Sequence, residues 1–261
     1  MTSGTLTGAR GTKLRGITPD DLYRFTYVSD PQLSPDGTTV AFVQTTVERE
    51  ADGYRSQIWV VAADGQTPPR RFTAGPNDTA PRWSPDGSRL AFLARRGGGG
   101  AKAQVWIIGA AGGEAWPLTN LEEGVSGPEW SPDGTRIVCV SQVRAADDRD
   151  REAPPPPDAP HGRPSDVKVI DRLKNRMDGE GFYDDRRRHL FIVPVCGQER
   201  GAARQVTFGE TNEGAPAWSP DGRTLAFVSA RHADRDFDNK SDIWTIAVGD
   251  DEAVAEPWRA E

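Results

Sequence analysis

Cysteine, histidine and long apolar runs are all scarce in this chain, and each shortage removes a class of function. Two cysteines, Cys139 and Cys196, are too few for a disulfide framework, and no Cys-x-x-Cys pair offers a zinc site. None of the three histidines, His161, His189 and His232, stands at metal-ligand spacing from another. No apolar stretch nears the ~20 residues of a membrane span. The basic first residues lead into no apolar secretory segment, so the cytoplasm is the expected compartment. A net charge of −7 argues against a nucleic-acid or anionic-membrane surface. No cofactor and no metal is expected.

What the chain has in plenty is turn residues, with 28 glycines and 21 prolines. Four of each fall in one tetrapeptide, Ser-Pro-Asp-Gly, at Ser34–Gly37, Ser84–Gly87, Ser131–Gly134 and Ser219–Gly222. Proline presets the first corner of a turn, aspartate tolerates the second, and glycine takes the left-handed conformation that lets a hairpin close. A short apolar run follows each copy: Val40–Val43, Leu90–Leu93, Ile137–Val140 and Leu225–Val228. A second run comes later: Ile58–Val61, Val105–Ile108, Leu190–Val193 and Ile243–Ile246. Three units close on a threonine, Thr73, Thr119 or Thr207, and Cys139 fills the slot held elsewhere by Phe42, Phe92 and Phe227.

The spacing of the units predicts an all-β chain. The first three turn serines are 50 and 47 residues apart, the length of a four-stranded antiparallel propeller blade. The next interval is 88 residues, and the excess lies between the turn and the second apolar run. Four blades are therefore expected over 31–261, with an insertion in blade three at about 142–188. Its Pro-rich part, 144–166, reads as a mobile loop. Residues 1–13 are expected to be disordered. The segment 14–30 reads as a short helix started by Thr18-Pro19-Asp20-Asp21, with Leu22 and Phe25 on its apolar side and Ser29-Asp30-Pro31 ending it. Four blades that use the whole chain predict an incomplete propeller, one that is marginal alone and self-associates.

Connectivity then sorts the loops. In such a blade the one–two and three–four turns lie on one face of the wheel, and the two–three loops and blade-to-blade links lie on the other. The insertion and the N-terminal segment share that second face. The residues with a functional reading there are Arg172, Arg176, Asp178, Glu180, Phe182, Tyr183 and Arg186, a mixture of charges and aromatics suited to gating a substrate. Catalytic residues are not expected. The nucleophile elbow Gly-x-Ser-x-Gly is absent, and Gly124-Val125-Ser126-Gly127-Pro128 misses it by one residue. Gly97 to Lys102 lacks the ending and the helix of a phosphate loop.

Two stretches resemble a known family. Thr18-Pro-Asp-Asp-Leu-Tyr-Arg24 with Val28-Ser-Asp-Pro-Gln-Leu-Ser-Pro-Asp-Gly37 is similar to the start of the acylaminoacyl-peptidase branch of the prolyl oligopeptidase (S9) serine peptidases. So are Arg172-Leu173, Arg176-Met-Asp-Gly179, Gly181-Phe-Tyr-Asp184 and His189-Leu-Phe-Ile-Val193. The resemblance implies a propeller that filters peptides for a C-terminal α/β-hydrolase domain bearing a Ser-Asp-His triad, none of whose residues has a counterpart here. The partners it implies are that domain and a peptide substrate. The alternative is a free-standing TolB-like propeller acting as a protein-interaction module.

Overall fold

A computed structural model describes residues 15–98, 100–144, 170, 172–177, 181–182, 186–249 and 256–257. Four antiparallel four-stranded sheets follow one another along the chain. Blade one is β1 (Thr26–Leu33), β2 (Thr39–Glu48), β3 (Gly53–Ala62) and β4 (Arg70–Arg71). Blade two is β5 (Asp78–Trp83), β6 (Arg89–Ala94), β7 (Gln104–Gly109) and β8 (Trp116–Pro117). Blade three has β9 (Ser126–Trp130) and β10 (Arg136–Arg144), then the two-stranded β11 (Arg176–Met177) and β12 (Gly181–Phe182), then β13 (Arg186–Pro194) and β14 (Arg204–Gln205). Blade four is β15 (Glu213–Trp218), β16 (Thr224–Ser229), β17 (Asp242–Ala247) and β18 (Glu256–Pro257).

The repeated turn does what its residue order requires. Gly37, Gly87, Gly134 and Gly222 are left-handed, with φ of 73°, 69°, 69° and 69°. Each serine hydroxyl donates to the aspartate two residues on, at 2.5–2.6 Å. It also accepts from the first residue of the next strand: Thr39, Arg89, Arg136 or Thr224. These bonds hold all four aspartates below the usual carboxylate range, Asp86 and Asp133 at about 2, with the serine hydroxyl the leading cause. A carboxylate depressed by folding stabilises the fold above its unfolded value near 4, and that contribution fades as pH falls through the folded value. The melting temperature is therefore expected to drop steeply between pH 4 and about 2. A D86N/D133N variant followed by circular dichroism should show a shallower drop over the same window.

Two other devices recur. Each closing threonine accepts a backbone N–H from the third strand, Thr73 from Ile58, Thr119 from Val105 and Thr207 from Leu190, which ties the blade's edge back to its body. Each inner strand carries a bulge where a left-handed residue precedes proline: Asp30-Pro31, Ala80-Pro81, Gly127-Pro128 and Ala215-Pro216. The pairing of β1 with β2 starts at Thr26, so the expected helix over 14–30 is confined to a 3-10 helix at Pro19–Arg24. Ser29-Asp30-Pro31 is a bulge within the strand, not a helix end. Leu22 and Phe25 are exposed, so this helix has no buried side.

The core lies between blades. Ala41, Ile58 and Val60 meet Leu90, Phe92 and Ile108, and Val105 and Ile107 on the other side of blade two meet Ile137, Cys139 and Phe191. Val138, Val140, Leu190 and Ile192 then meet Leu225, Phe227 and Ile246. Burial pushes the Cys139 thiol up to about 12, which makes it an inert apolar filler, whereas Cys196 is exposed. In blades two to four a tryptophan before the turn donates its indole N–H to the inner strand of the preceding blade. Trp83 reaches the Gln32 carbonyl, Trp130 that of Arg82 and Trp218 that of Glu129, at 3.0–3.3 Å. Blade one has Leu33 in that place, 59% exposed. On the far side of blade four Ile243 is 49% exposed, although its counterpart in blade two, Val105, is 0% exposed.

Candidate functional site

The second face is assembled from segments distant in sequence. At its start the 3-10 helix is held by Asp21, which accepts from Arg15 and from the Thr18 backbone. Asp20 pairs with Arg49 of the β2–β3 turn, and the Arg49 guanidinium lies 4.3 Å from the centre of the Tyr23 ring. The N-terminal segment thus sits against a two–three loop.

The blade-three insertion is pinned to blade four. Lys174 donates to the carbonyls of Arg235, at 2.6 Å, and Asp238 in the β16–β17 loop. Arg172 pairs with Glu210, in the link between blades three and four, and Arg187 reaches the same carboxylate at 3.4 Å. A single carboxylate gathers both arginines because each comes from a different end of the insertion. The receiving loop is itself braced, with His232 2.8 Å from Asp238. Asp238 is held below the usual carboxylate range, chiefly by the Lys240 backbone N–H and less by His232.

Of the gating residues read from the sequence, Arg172 and Arg186 are joined to the blade-to-blade links, Arg186 through Glu123 at 2.7 Å. Arg176 is exposed on β11, and Phe182 is placed on the short strand β12. Asp178, Glu180 and Tyr183 lie outside the described residues, as do 1–13, most of the Pro-rich loop and His161. Sequence reasoning missed Lys174, Glu210 and Glu123 as the partners that fix the arm. A lone lysine among many charges carries no signal of the carbonyls it will meet about sixty residues later.

Beside the arm a cleft of about 850 Å³ opens between blades two and three. Asn77, Arg95, Lys102, Glu123, Ser126, Ser141, Gln142 and Arg188 are among its polar lining, and Gly97, Gly98 and Gly100 form part of its wall. Its floor depends on Gly124, whose φ is +74° and where a Cβ would stand 2.9 Å from the Ala103 carbonyl. His189 is buried in blade three, its Nδ1 3.4 Å from the Thr207 hydroxyl. It is a strand residue, as its slot beside Gln57 and Gln104 suggests. Among the described residues no group of three or more His, Cys, Asp or Glu side chains could hold a metal ion, and no helix is long and apolar enough to cross a membrane.

Residues 23–149 match the TolB β-propeller domain family, PD40. Those residues carry a PD40 β-propeller domain. Over 234 residues, 88% of its length, the chain is 35% identical to the uncharacterized peptidase YuxL of Bacillus subtilis. It superposes on the acylaminoacyl peptidase of Pyrococcus horikoshii with a TM-score of 0.64 and 20% identity, over 90% of this chain and 33% of that one. On a puromycin-hydrolyzing peptidase of Mycobacterium tuberculosis the TM-score is 0.59 at 18% identity, over 98% of this chain and 35% of that one. The chain spans about a third of the length of YuxL, 34%. The chain thus resembles proteins that are named peptidases, over about a third of their length.

Proposed function

We propose that this propeller is the substrate-admitting part of a cytoplasmic serine peptidase acting on short or N-acylated peptides. The triad is supplied by an α/β-hydrolase partner domain seated on the second face, and this chain is inactive alone. The observation that carries the reading is the pinned arm. An insertion anchored by Arg172 to the blade three–four link and by Lys174 to blade four, with Arg188 at its end lining the open cleft, supports a role in restricting what passes between the two domains. The same reading makes the exposed flanks of blades one and four cohesive, so that the isolated chain self-associates.

The test has two parts. The purified chain should give no turnover of acyl-peptide or aminoacyl ester substrates, and turnover blocked by a serine-directed inhibitor would overturn the proposal. Replacing Lys174 by Ala should free the arm, read as several-fold faster tryptic cleavage within 172–188 with an unchanged far-ultraviolet spectrum. Equal cleavage rates would mean that the lysine does not hold the arm.

A further inference from the structure

We infer that the cleft between blades two and three is a binding site for the carboxylate of a peptide. This rests on the peptide-admitting reading above and names what the admitted peptide carries. The chain as a whole is acidic, with a net charge of −7, yet among the described residues lining this cleft three of the four charged ones are cationic: Arg95, Lys102 and Arg188. The acid among those described residues, Glu123, is engaged from outside the lining by Arg186 at 2.7 Å, while Lys102 stands 3.9 Å away. Its negative charge is thereby largely answered, and the cleft keeps a positive field in a negative molecule. Charge of one sign concentrated in a concave site draws ligands of the other sign.

Two further features choose among anions. No aromatic side chain is among the described residues lining the cleft, so none of them offers a nucleotide base a stacking surface. The neutral lining instead combines the amides of Asn77 and Gln142 with the hydroxyls of Ser126 and Ser141, the latter given to the Gly124 carbonyl, and the first three can satisfy the N–H and C=O of an extended peptide. A volume of about 850 Å³ suits a segment of a few residues and far exceeds a lone inorganic anion. Guanidinium and ammonium groups then fix the carboxylate end, arginine through paired N–H donors.

The site sits on the face that carries the arm, so occupancy needs no catalysis and is read by binding alone. The experiment uses fluorescence anisotropy of N-terminally labelled tetra-alanine on the full chain, with a free C-terminal carboxylate or an amidated end, and with ATP as competitor. The free-acid peptide should bind at least about tenfold more tightly than the amide and weaken as salt rises. Charge reversal in an R95E/K102E variant should remove that preference, because both residues are exposed loop positions whose change leaves the blades intact. Equal binding of acid and amide, untouched by charge reversal, would sink the cleft assignment and leave peptide admission standing. Failure of the folded chain to bind either peptide would sink both. Displacement by ATP at comparable concentration would sink the choice of a peptide. Acid-selective binding that Lys174→Ala leaves unchanged would support the cleft and separate it from the arm.

Discussion

Truncating Arg231 to alanine is expected to destabilise the propeller by about 3–5 kcal/mol, the cost of leaving a buried charge without its partner. Glu213 opens the inner strand of blade four with a side chain 0% exposed, and its carboxylate takes the Arg231 guanidinium at 2.6 Å. The Thr211 hydroxyl supplies one more donor at 2.8 Å. The guanidinium also lies 5.4 and 5.5 Å from the ring centres of Phe227 and Trp244, so truncation removes packing as well as charge. Against a total stability on the order of 5–15 kcal/mol this is a large fraction, and the melting temperature should fall by about 10 °C. Blade two repeats the arrangement with Asp78 and Arg96 at 3.3 Å, the arginine 4.5 Å from the Trp106 ring centre. Blade three supplies the control, since the corresponding positions are Val125 and Val143, both packed in the core between blades two and three. A double variant with valine at 213 and 231 should therefore recover most of the loss, because well-packed apolar residues often replace a buried ion pair without cost. A loss below about 1 kcal/mol for Arg231→Ala would show the pair to be a solvated surface bridge.

Lysine at two equivalent positions should give opposite results. Val105, at 0% exposure, lies between blades two and three, and Val105→Lys buries an ammonium group with no partner, a penalty of several kcal/mol. That variant is expected to lose its cooperative melt. Ile243 holds the same place in blade four but is 49% exposed, next to Val228 at 38%. Ile243→Lys should change stability by no more than about 0.5 kcal/mol and should convert associated species into monomer. Light scattering coupled to size exclusion separates the outcomes. Unfolding by Ile243→Lys as severe as by Val105→Lys would mean that the far face of blade four is covered.

The blades were legible because their signals are local. Ser34 to Gly37 specifies a turn through contacts no more than five residues apart, and the slot equivalence of Cys139 with three phenylalanines followed from counting onward from the serine. The start of β1 was not legible. Thr26 to Ser29 form a strand only because Val43 to Thr46 lie alongside, a tertiary pairing that overrides the helical reading. The proline bulges were in plain view, three residues before every turn serine, but a proline there says nothing until the register shift is seen. The ion pairs were also periodic, with an acid six before and an arginine twelve after the serine in units two and four. Their meaning depends on burial, which spacing does not convey. The arm was the least readable part. Arg172 and Arg186 find their partners 38 and 63 residues away, so their charge could be read but not their use.

Each four-stranded blade takes its strands in chain order, inner edge to outer edge, with only blade three interrupted, by β11 and β12, which has a consequence for the order of folding. As the polypeptide leaves the ribosome, each unit can close before the next one appears, and each completed unit offers a surface for its successor to nucleate on. Unit three alone must wait. The segment between β10 and β13 is 41 residues long, against 9 between β6 and β7. The longer closure adds about 1.3 kcal/mol of entropy, on the order of a tenfold slower hairpin. The insertion in blade three is thus expected to set the tempo at which the wheel itself is made.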